Sequence, residues 1–216
     1  DTTRGPLTLG VQVLGTVPAG EGLRRSGGRP GDALFVTGTP GDAAAGLALL
    51  MEGSGHRPGA VAGAAVGAPA EALETLRRRF LFPTPRLAEG EALRGLASAC
   101  IDISDGLVGD LGKLAAASGC AAVLDLEALP RSAALAAGFM PEAALRCVLD
   151  GGDDYELLLA VPPPQAATVA AMPGLTRIGE LHEASMRSRV TLRRRTADGT
   201  LTETPAAAAG FDHFAG

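Results

Sequence analysis

The sequence is poor in aromatic and basic residues. It has no tryptophan, one tyrosine and a formal net charge of −5, and no basic stripe is interleaved with aromatic side chains. Surfaces that bind nucleic acid usually combine such features, so we do not expect nucleic acid as a partner. We interpret the three-arginine runs at 77–79 and 193–195 as solvated faces of a helix and a strand.

Long apolar runs are also missing. The longest small-residue apolar stretch, "AVAGAAVGAPA", is far shorter than the roughly 20 residues that cross a bilayer as a helix. No signal-peptide pattern is visible. We therefore expect no membrane partner and a cytoplasmic location.

The cysteines and histidines form no recognisable motif. Cys100, Cys120 and Cys147 are odd in number, widely spaced and without a C-x-x-C pair, so they are expected to be reduced thiols that pack as small apolar residues. The three histidines are scattered and match neither H-E-x-x-H nor a catalytic triad. A cysteine-based metal or redox site is not indicated.

Only one of the 19 basic residues is a lysine, Lys113. It lies in "GLVGDLGKL", which superficially resembles a phosphate-binding P-loop. The distance from Gly106 to the "GK" pair is one residue too long, and Leu114 stands where a P-loop has its Mg-binding serine or threonine. The sequence therefore excludes a Walker-type kinase.

Strand and helix signals alternate along the chain. Such alternation predicts an α/β (α+β) fold with a mixed sheet covered by helices. The apolar runs predict strands at 32–38, 98–104, 120–126, 155–161, 176–181 and 189–195, and helical periodicity predicts helices at 43–53, 69–81, 89–97, 105–119, 141–149 and 162–172.

The segment "DISDGL" at 102–107 places two acids at a predicted strand-to-helix junction. We expect Asp102 at the end of the strand, Ser104 as the helix N-cap and Gly106 at a point of close approach by a ligand or another backbone. Carboxylates gathered near a divalent cation can neutralise a polyphosphate, and free helix amides attract anions. The alternative is an ordinary N-cap with Asp105 in the first helical turn.

The segment "GGDDYEL" at 151–157 reads as a tight glycine turn followed by a buried strand. Its acids would crowd the exit of the turn, although a helix C-cap with a solvated acidic turn is the simpler alternative. Tyr155 begins an apolar run and is expected in the core. Asp154 and Glu156 receive no role.

Taken together and in order, the segments "GDALFVTGTPGDAAAGLALL", "FPTPR", "CIDISDGL", "DLGKLAAASG", "GGDDYELL" and "GFDHF" resemble thiamine-monophosphate kinase. The resemblance extends over essentially the whole chain and places it in the wider aminoimidazole ribonucleotide synthetase-like superfamily. It implies transfer of the γ-phosphoryl group of ATP to thiamine monophosphate, giving thiamine diphosphate, with Mg²⁺ as cofactor and a homodimer as the assembly.

The resemblance also implies roles for individual residues. Asp1, Asp102 and Asp105 match Mg²⁺ ligands, and Arg25 and Ser104 match contacts to ATP. Two further positions, Asp153 and Phe211, match residues that bind the substrate. Asp153 departs from the family pattern, in which this position is commonly glutamate.

The chain opens in mid-pattern, since "DTTRGPLTLGVQVLGTV" alternates apolar residues without an initial methionine. We predict a strand there whose sheet partners lie upstream. Residues 1–28 are interpreted as the end of an N-terminal ATP-binding domain with its linker, and 29–216 as the C-terminal α/β domain. The chain alone is then expected to show little or no kinase activity.

Two alternatives stay open. One is another ATP-using synthetase of the superfamily, of the aminoimidazole ribonucleotide or selenophosphate type. The other is a non-catalytic ligand-binding module that keeps the fold, although such a module is expected to lose its metal carboxylates, and here the candidates are present.

Overall fold

The structure is a computed structural model that describes residues 10–53, 65, 67–184, 188–196 and 198–206. Its strands are β1 (Ala33–Thr37), β2 (Ala99–Ile103), β3 (Cys120–Asp125), β4 (Glu156–Val161), β5 (Leu175–Glu183), β6 (Val190–Arg195) and β7 (Leu201–Pro205). Its helices are α1 (Asp42–Gly53), α2 (Ala70–Leu81), α3 (Leu87–Ala92), α4 (Leu107–Ala117), α5 (Ala133–Gly138), α6 (Pro141–Asp150) and α7 (Pro163–Ala170).

All seven strands form one mixed sheet in the order β2-β4-β1-β5-β3-β6-β7. Strands β3 and β6 are parallel, and every other neighbouring pair is antiparallel. The prediction of a mixed sheet covered by helices is therefore confirmed.

The sheet separates two layers of core because successive strand side chains point to opposite faces. In β1, Leu34 and Val36 join the larger cluster, which also contains buried residues of α1, α2, α4, α5 and α6. Ala33 and Phe35 face the smaller cluster, with Leu93 just after α3 and Val169 of α7. Burial on both faces explains why β1 and β4 read as continuous apolar runs.

The strand order brings three loops to one place. Because β4 runs antiparallel to both β1 and β2, its first residues lie beside the last residues of those strands. The loops 38–41, 104–106 and 151–155 therefore meet at this end of the sheet. Asp105, Asp153 and Asp154 lie on these loops, and Asp102 lies near the end of β2, which leads into one of them.

Most predicted elements are present, with differences at their ends. Helix α4 begins at Leu107 rather than at 105, and α5 and β7 were not predicted. The predicted N-terminal strand lies partly outside the described residues, and its described part, 10–17, forms neither helix nor strand. Pro163 and Pro164 open α7 as expected.

The prediction that residues 193–195 form only a solvated face is wrong for Arg193. Its guanidinium donates hydrogen bonds to both carboxylate oxygens of Asp125, at 2.5 and 2.9 Å, and to Glu180 Oε1 at 3.2 Å. The arginine thus ties β6 to β3 and β5, which a pattern of consecutive charges cannot reveal.

The expectation that the three cysteines are free thiols is confirmed. Cys100, Cys120 and Cys147 are free thiols, and the last two are buried. Among the described residues, no helix is both long and apolar enough to cross a bilayer.

Candidate functional site

The turn between β2 and α4 is organised by a buried acid. Asp110 is 1% exposed, and its Oδ2 accepts hydrogen bonds from the backbone N–H groups of Ser104 and Asp105, both at 2.9 Å. These amides lie just before the first residue of α4, Leu107. The Asp110 carboxylate therefore fixes the backbone of the "DISDG" segment.

This arrangement corrects the prediction that Ser104 is the N-cap of α4. The N-cap position belongs to Gly106, at φ 115°, and no side chain caps the helix there. Asp110 satisfies the nearby amides instead, so the serine hydroxyl is not needed for that purpose. The prediction of a close approach at Gly106 is confirmed, because a Cβ on it would lie 2.8 Å from the carbonyl oxygen of Asp150.

Lys113 projects from the next turn of α4 towards the same acids. Its ammonium forms an ion pair with Asp105 and another with Asp110 Oδ1 at 2.8 Å. The lysine side chain is about two-fifths exposed. The only lysine of the sequence thus lies between the carboxylates of Asp105 and Asp110.

The loop 151–155 packs directly against this turn. The backbone N–H of Asp153 donates to the carbonyl of Ser104, and that of Tyr155 donates to the carbonyl of Ile103, each at 2.9 Å. The contact requires glycine, since a Cβ on Gly152 would lie 2.4 Å from the Ser104 oxygen. The predicted tight glycine turn is confirmed.

The same loop contains two left-handed residues that are not glycine. Asp153 has φ 62° and Tyr155 has φ 52°. Such conformations cost about 1–3 kcal/mol each and persist only where the surrounding structure holds them. Asp154, which lies between these two residues, and Glu156, which follows them, hold the loop in this conformation.

Asp154 is buried and anchors the loop to the start of α1. Its two oxygens accept hydrogen bonds from the backbone N–H groups of Gly41, at 2.6 Å, and Ala43, at 3.1 Å. Burial raises the pKa of Asp154 to about 7, against the opposing effect of these hydrogen bonds. The side chain is therefore a cap for α1 rather than part of a solvated turn.

Glu156 is fully buried and forms the centre of an ionic cluster. Its carboxylate accepts two bonds from Arg86, at 2.6 and 2.7 Å, one from Arg79 at 2.7 Å, and one from the Thr37 hydroxyl at 2.6 Å. The interpretation of 77–79 as a solvated face is therefore wrong for Arg79. The cluster connects β1, α2 and the start of α3 to the first residue of β4.

The prediction that Tyr155 lies in the core is also wrong. The residue is 44% exposed, and its hydroxyl lies 3.2 Å from Asp153 Oδ1, to which it donates. Its left-handed backbone turns it out of the inward-facing series of β4. Burial of the phenol raises its pKa, and the nearby charges of Asp153, Asp102 and Asp105 raise it further.

The structure brings some of the predicted site residues together. Asp102 is exposed near the end of β2, Ser104 and Asp105 follow it, and Asp153 lies on the adjoining loop. Arg25 is exposed, and its neighbour Arg24 lies beside β2, since the Cys100 N–H donates to the Arg24 carbonyl at 2.7 Å. Asp1 and Phe211 lie outside the described residues.

The donor set fits a hard divalent cation in part. Asp102 and Asp105 offer carboxylate oxygens. The Lys113 ammonium, itself a cation, binds the carboxylates of Asp105 and Asp110. Within the described ranges, no group of three or more potential ligands could hold a metal by itself. Mg²⁺ commonly takes one or two carboxylates and completes its shell with phosphates and water, so two acids are a sufficient contribution.

Several residues of this site were missed at the sequence level. Asp110 lies on the apolar face of α4 with Leu107 and Leu111, and an acid on such a face is a signal for a buried partner. The anchoring roles of Asp154 and Glu156 depend on partners at least 70 residues away in sequence, which no local pattern contains.

Comparison with known proteins gives the family. The family described as AIR synthase related protein, C-terminal domain, matches residues 29–189. Thiamine-monophosphate kinase of Escherichia coli (strain K12) is 49% identical over 162 residues, which cover 75% of this chain and 46% of that protein. The chain thus spans about half the length of the curated relatives that it matches.

Solved structures agree with this assignment. Thiamine-monophosphate kinase from Stenotrophomonas maltophilia K279a superimposes with a TM-score of 0.71 at 37% identity, over 82% of this chain and 54% of that one. AaThiL complexed with AMPPCP and TMP gives a TM-score of 0.67 at 31% identity, over 89% and 54%. The resemblance to thiamine-monophosphate kinase is confirmed, and the chain belongs to the AIR synthase related protein, C-terminal domain, family.

Proposed function

We propose that this chain is the C-terminal part of a thiamine-monophosphate kinase, which transfers the γ-phosphoryl group of ATP to thiamine monophosphate and forms thiamine diphosphate. The observation that carries the proposal is the contact between the two acidic loops. The Asp153 N–H donates to the Ser104 carbonyl, so the acid matched to substrate binding adjoins the acids matched to metal binding. A structural neighbour has been solved with AMPPCP and TMP.

The proposed reaction needs charge neutralisation more than proton transfer. The acceptor is a phosphate oxygen that is largely ionised near neutral pH, so a dedicated general base is not required. Two like charges about 4 Å apart repel by about 4 kcal/mol at an effective dielectric constant near 20. Asp102 and Asp105 would hold Mg²⁺, which would supply the opposing positive charge for an in-line transfer.

Each candidate residue has a part in this scheme. Asp102 and Asp105, with Asp1, would hold Mg²⁺. Arg25 and Ser104 would contact ATP, and Asp153 and Phe211 would bind thiamine monophosphate. The chain's own contribution is to orient the carboxylates, and Asp110 performs that task by fixing the two backbone amides that precede α4.

We further propose the organisation inferred from the sequence. Residues 1–28 would close an N-terminal ATP-binding domain, 29–216 would form the C-terminal domain, and the whole protein would be a cytoplasmic homodimer. Val11, Val13 and Leu14 are at least 86% exposed in the described segment, which supports burial of this stretch against another domain or subunit.

The test is a coupled ADP-release assay of the full-length protein, meaning the natural polypeptide with any residues that precede Asp1. With Mg²⁺, ATP and thiamine monophosphate, we expect turnover that produces thiamine diphosphate. Asp105→Asn should abolish it without loss of fold, whereas unchanged turnover would favour a non-catalytic module. Turnover with aminoimidazole precursors or selenide instead would identify another synthetase of the superfamily.

The isolated 216-residue chain provides a second arm of the test. Under the proposed organisation it should show little or no ADP release under the same conditions. Robust formation of thiamine diphosphate by this chain alone would contradict the division of the active site between two domains, while leaving the reaction itself in place.

A further inference from the structure

We propose that Tyr155 is a substrate-binding residue whose ring contacts the flat, positively charged heterocycle of thiamine monophosphate. This inference rests on the proposed function and extends it to the residue that recognises the organic part of the substrate.

The backbone of Tyr155 is left-handed, at φ 52°. Bulky residues avoid this region because their Cβ clashes with the backbone, and the exceptions concentrate at ligand-binding and active sites. A tyrosine kept only for packing would follow the alternation of β4 and be buried. This one is instead 44% exposed at the end of the sheet where the three loops meet.

The protein holds this conformation from both sides. The Tyr155 N–H donates to the Ile103 carbonyl at 2.9 Å, and its sequence neighbours Asp154 and Glu156 are 1% and 0% exposed. Two buried, hydrogen-bonded acids therefore flank one outward-facing ring. Such a preorganised aromatic side chain loses little conformational freedom when it binds a ligand.

The chemistry around the ring suits a cation. Its hydroxyl contacts Asp153 Oδ1 at 3.2 Å, and the charges of Asp102 and Asp105 reach it as well. An aromatic face attracts cations through its quadrupole, and nearby carboxylates strengthen that attraction. Aromatic rings also stack on flat heterocycles.

Thiamine monophosphate matches this polarity. Its thiazolium ring carries a permanent positive charge, and its phosphate is separated from that ring by a short hydroxyethyl chain. With the thiazolium on Tyr155 beside Asp153, the phosphate can extend towards the turn that carries Asp102 and Asp105. The cationic and anionic ends of one molecule would then meet the ring and the proposed metal site, respectively.

The experiment compares three variants of the full-length protein. Tyr155→Leu removes the ring, Tyr155→Gly removes it and also accepts the left-handed backbone without strain, and Tyr155→Phe keeps the ring but loses the hydroxyl. We expect the first two to raise the KM and the calorimetric Kd for thiamine monophosphate about tenfold, with the KM for ATP changed less than about twofold. Tyr155→Phe should stay within about threefold of the wild type.

Two results would overturn the assignment. Equal losses in Tyr155→Phe and Tyr155→Leu would mean that the hydroxyl acts only by orienting Asp153. Unchanged thiamine monophosphate binding in Tyr155→Gly would mean that the ring does not contact the substrate. If the wild type turns over thiamine monophosphate normally in either case, the proposed function stands and only the role of Tyr155 is lost.

Binding of an uncharged analogue of thiamine monophosphate gives a second, independent test. Replacing the thiazolium by an uncharged thiophene of the same shape should weaken binding to the wild type more than to Tyr155→Leu. Equal discrimination by both proteins would contradict recognition of the charge by the ring. Absence of any wild-type turnover of thiamine monophosphate would instead overturn the proposed function itself.

Discussion

Asp154 and Gly41 are joined by a 2.6 Å hydrogen bond that connects the loop before β4 to the turn that opens α1. A second bond from the Ala43 N–H completes a bidentate cap by a carboxylate that is 1% exposed. The cap holds the loop 151–155 against the sheet end. Its energetic consequence is a pH dependence that can be measured.

We predict that Asp154 makes the protein less stable as pH rises from 5 to 8. Burial raises the pKa of Asp154 to about 7, so between about pH 4 and pH 7 the folded state holds a proton that the unfolded state has released. The stabilisation is complete below pH 4 and is lost as pH passes 7, with a total on the order of 4 kcal/mol. Chemical denaturation of the wild type and Asp154→Asn across this range should show their stability difference changing with pH.

Asp198→Asn is the matched control for this prediction. The pKa of Asp198 is lowered to about 2, chiefly by the hydrogen bond from Thr196, so its carboxyl is ionised in both states throughout the range tested. This variant should differ from the wild type by the same amount at pH 5 and pH 8. A pH-independent difference between the wild type and Asp154→Asn would contradict the prediction.

The cluster around Glu156 predicts a large loss of stability in Glu156→Gln. The change would leave the guanidinium groups of Arg79 and Arg86, each about one-fifth exposed, without their shared carboxylate. Removing one partner of a buried ion pair typically costs about 3–5 kcal/mol. Urea denaturation measures the effect directly.

Glu89→Gln provides the comparison. Glu89 pairs with the same Arg86, at 3.2 Å, but its side chain is about one-third exposed. Surface pairs of this kind contribute about 0–1 kcal/mol, so the variant should be nearly as stable as the wild type. Similar losses of stability in the two variants would show that burial does not determine how much the Glu156 cluster contributes to the free energy of unfolding.

Gly106→Ala and Gly112→Ala should have opposite effects on the free energy of unfolding. At Gly106, φ is 115° and a Cβ would lie 2.8 Å from the Asp150 oxygen, so alanine should destabilise the protein by at least about 2 kcal/mol. At Gly112, inside α4, the nearest atom lies 3.9 Å away. Alanine there should add about 0.5–1 kcal/mol. Stabilisation by Gly106→Ala would show that the turn 104–106 moves readily away from the end of α6.

Lys113→Met should strengthen Mg²⁺ binding in the full-length protein. The ammonium pairs with Asp105 and Asp110 and therefore competes with a divalent cation for the same carboxylate charge. Removing a positive charge at this range should raise the affinity about five- to tenfold, and Lys113→Arg should stay near the wild type. Calorimetric Mg²⁺ titration tests this, and weaker binding by Lys113→Met would show that the lysine positions Asp105 instead.

The sequence predicted the elements of this fold well and its contacts poorly. Periodicity identified β1, β2, β4 and α4 because each buries a regular series of apolar residues. It misplaced Tyr155, because period-two alternation assumes an extended backbone, and the left-handed residues at 153 and 155 break that assumption. The Ser104 cap failed for a different reason, since the competing acceptor, Asp110, lies six residues further on.

Two local features of these loops were predicted from glycine alone. Gly106 indicated a point of close approach and Gly152 a tight turn, and both features are present, but their contact partners were not predicted. Arg79, by contrast, looks the same in sequence as its neighbours Arg77 and Arg78. Only the packing of α2 against α1 and α5 distinguishes the one that reaches Glu156.

The placement of Tyr155 also makes the chain its own optical probe. With one tyrosine and no tryptophan, its tyrosine fluorescence comes from a single ring beside Asp153. Carboxylates that accept the phenolic hydrogen quench this emission, so an ion that draws Asp153 away would brighten it, and a bound heterocycle would dim it. Occupancy of this corner of the protein could therefore be followed in a cuvette without any added dye.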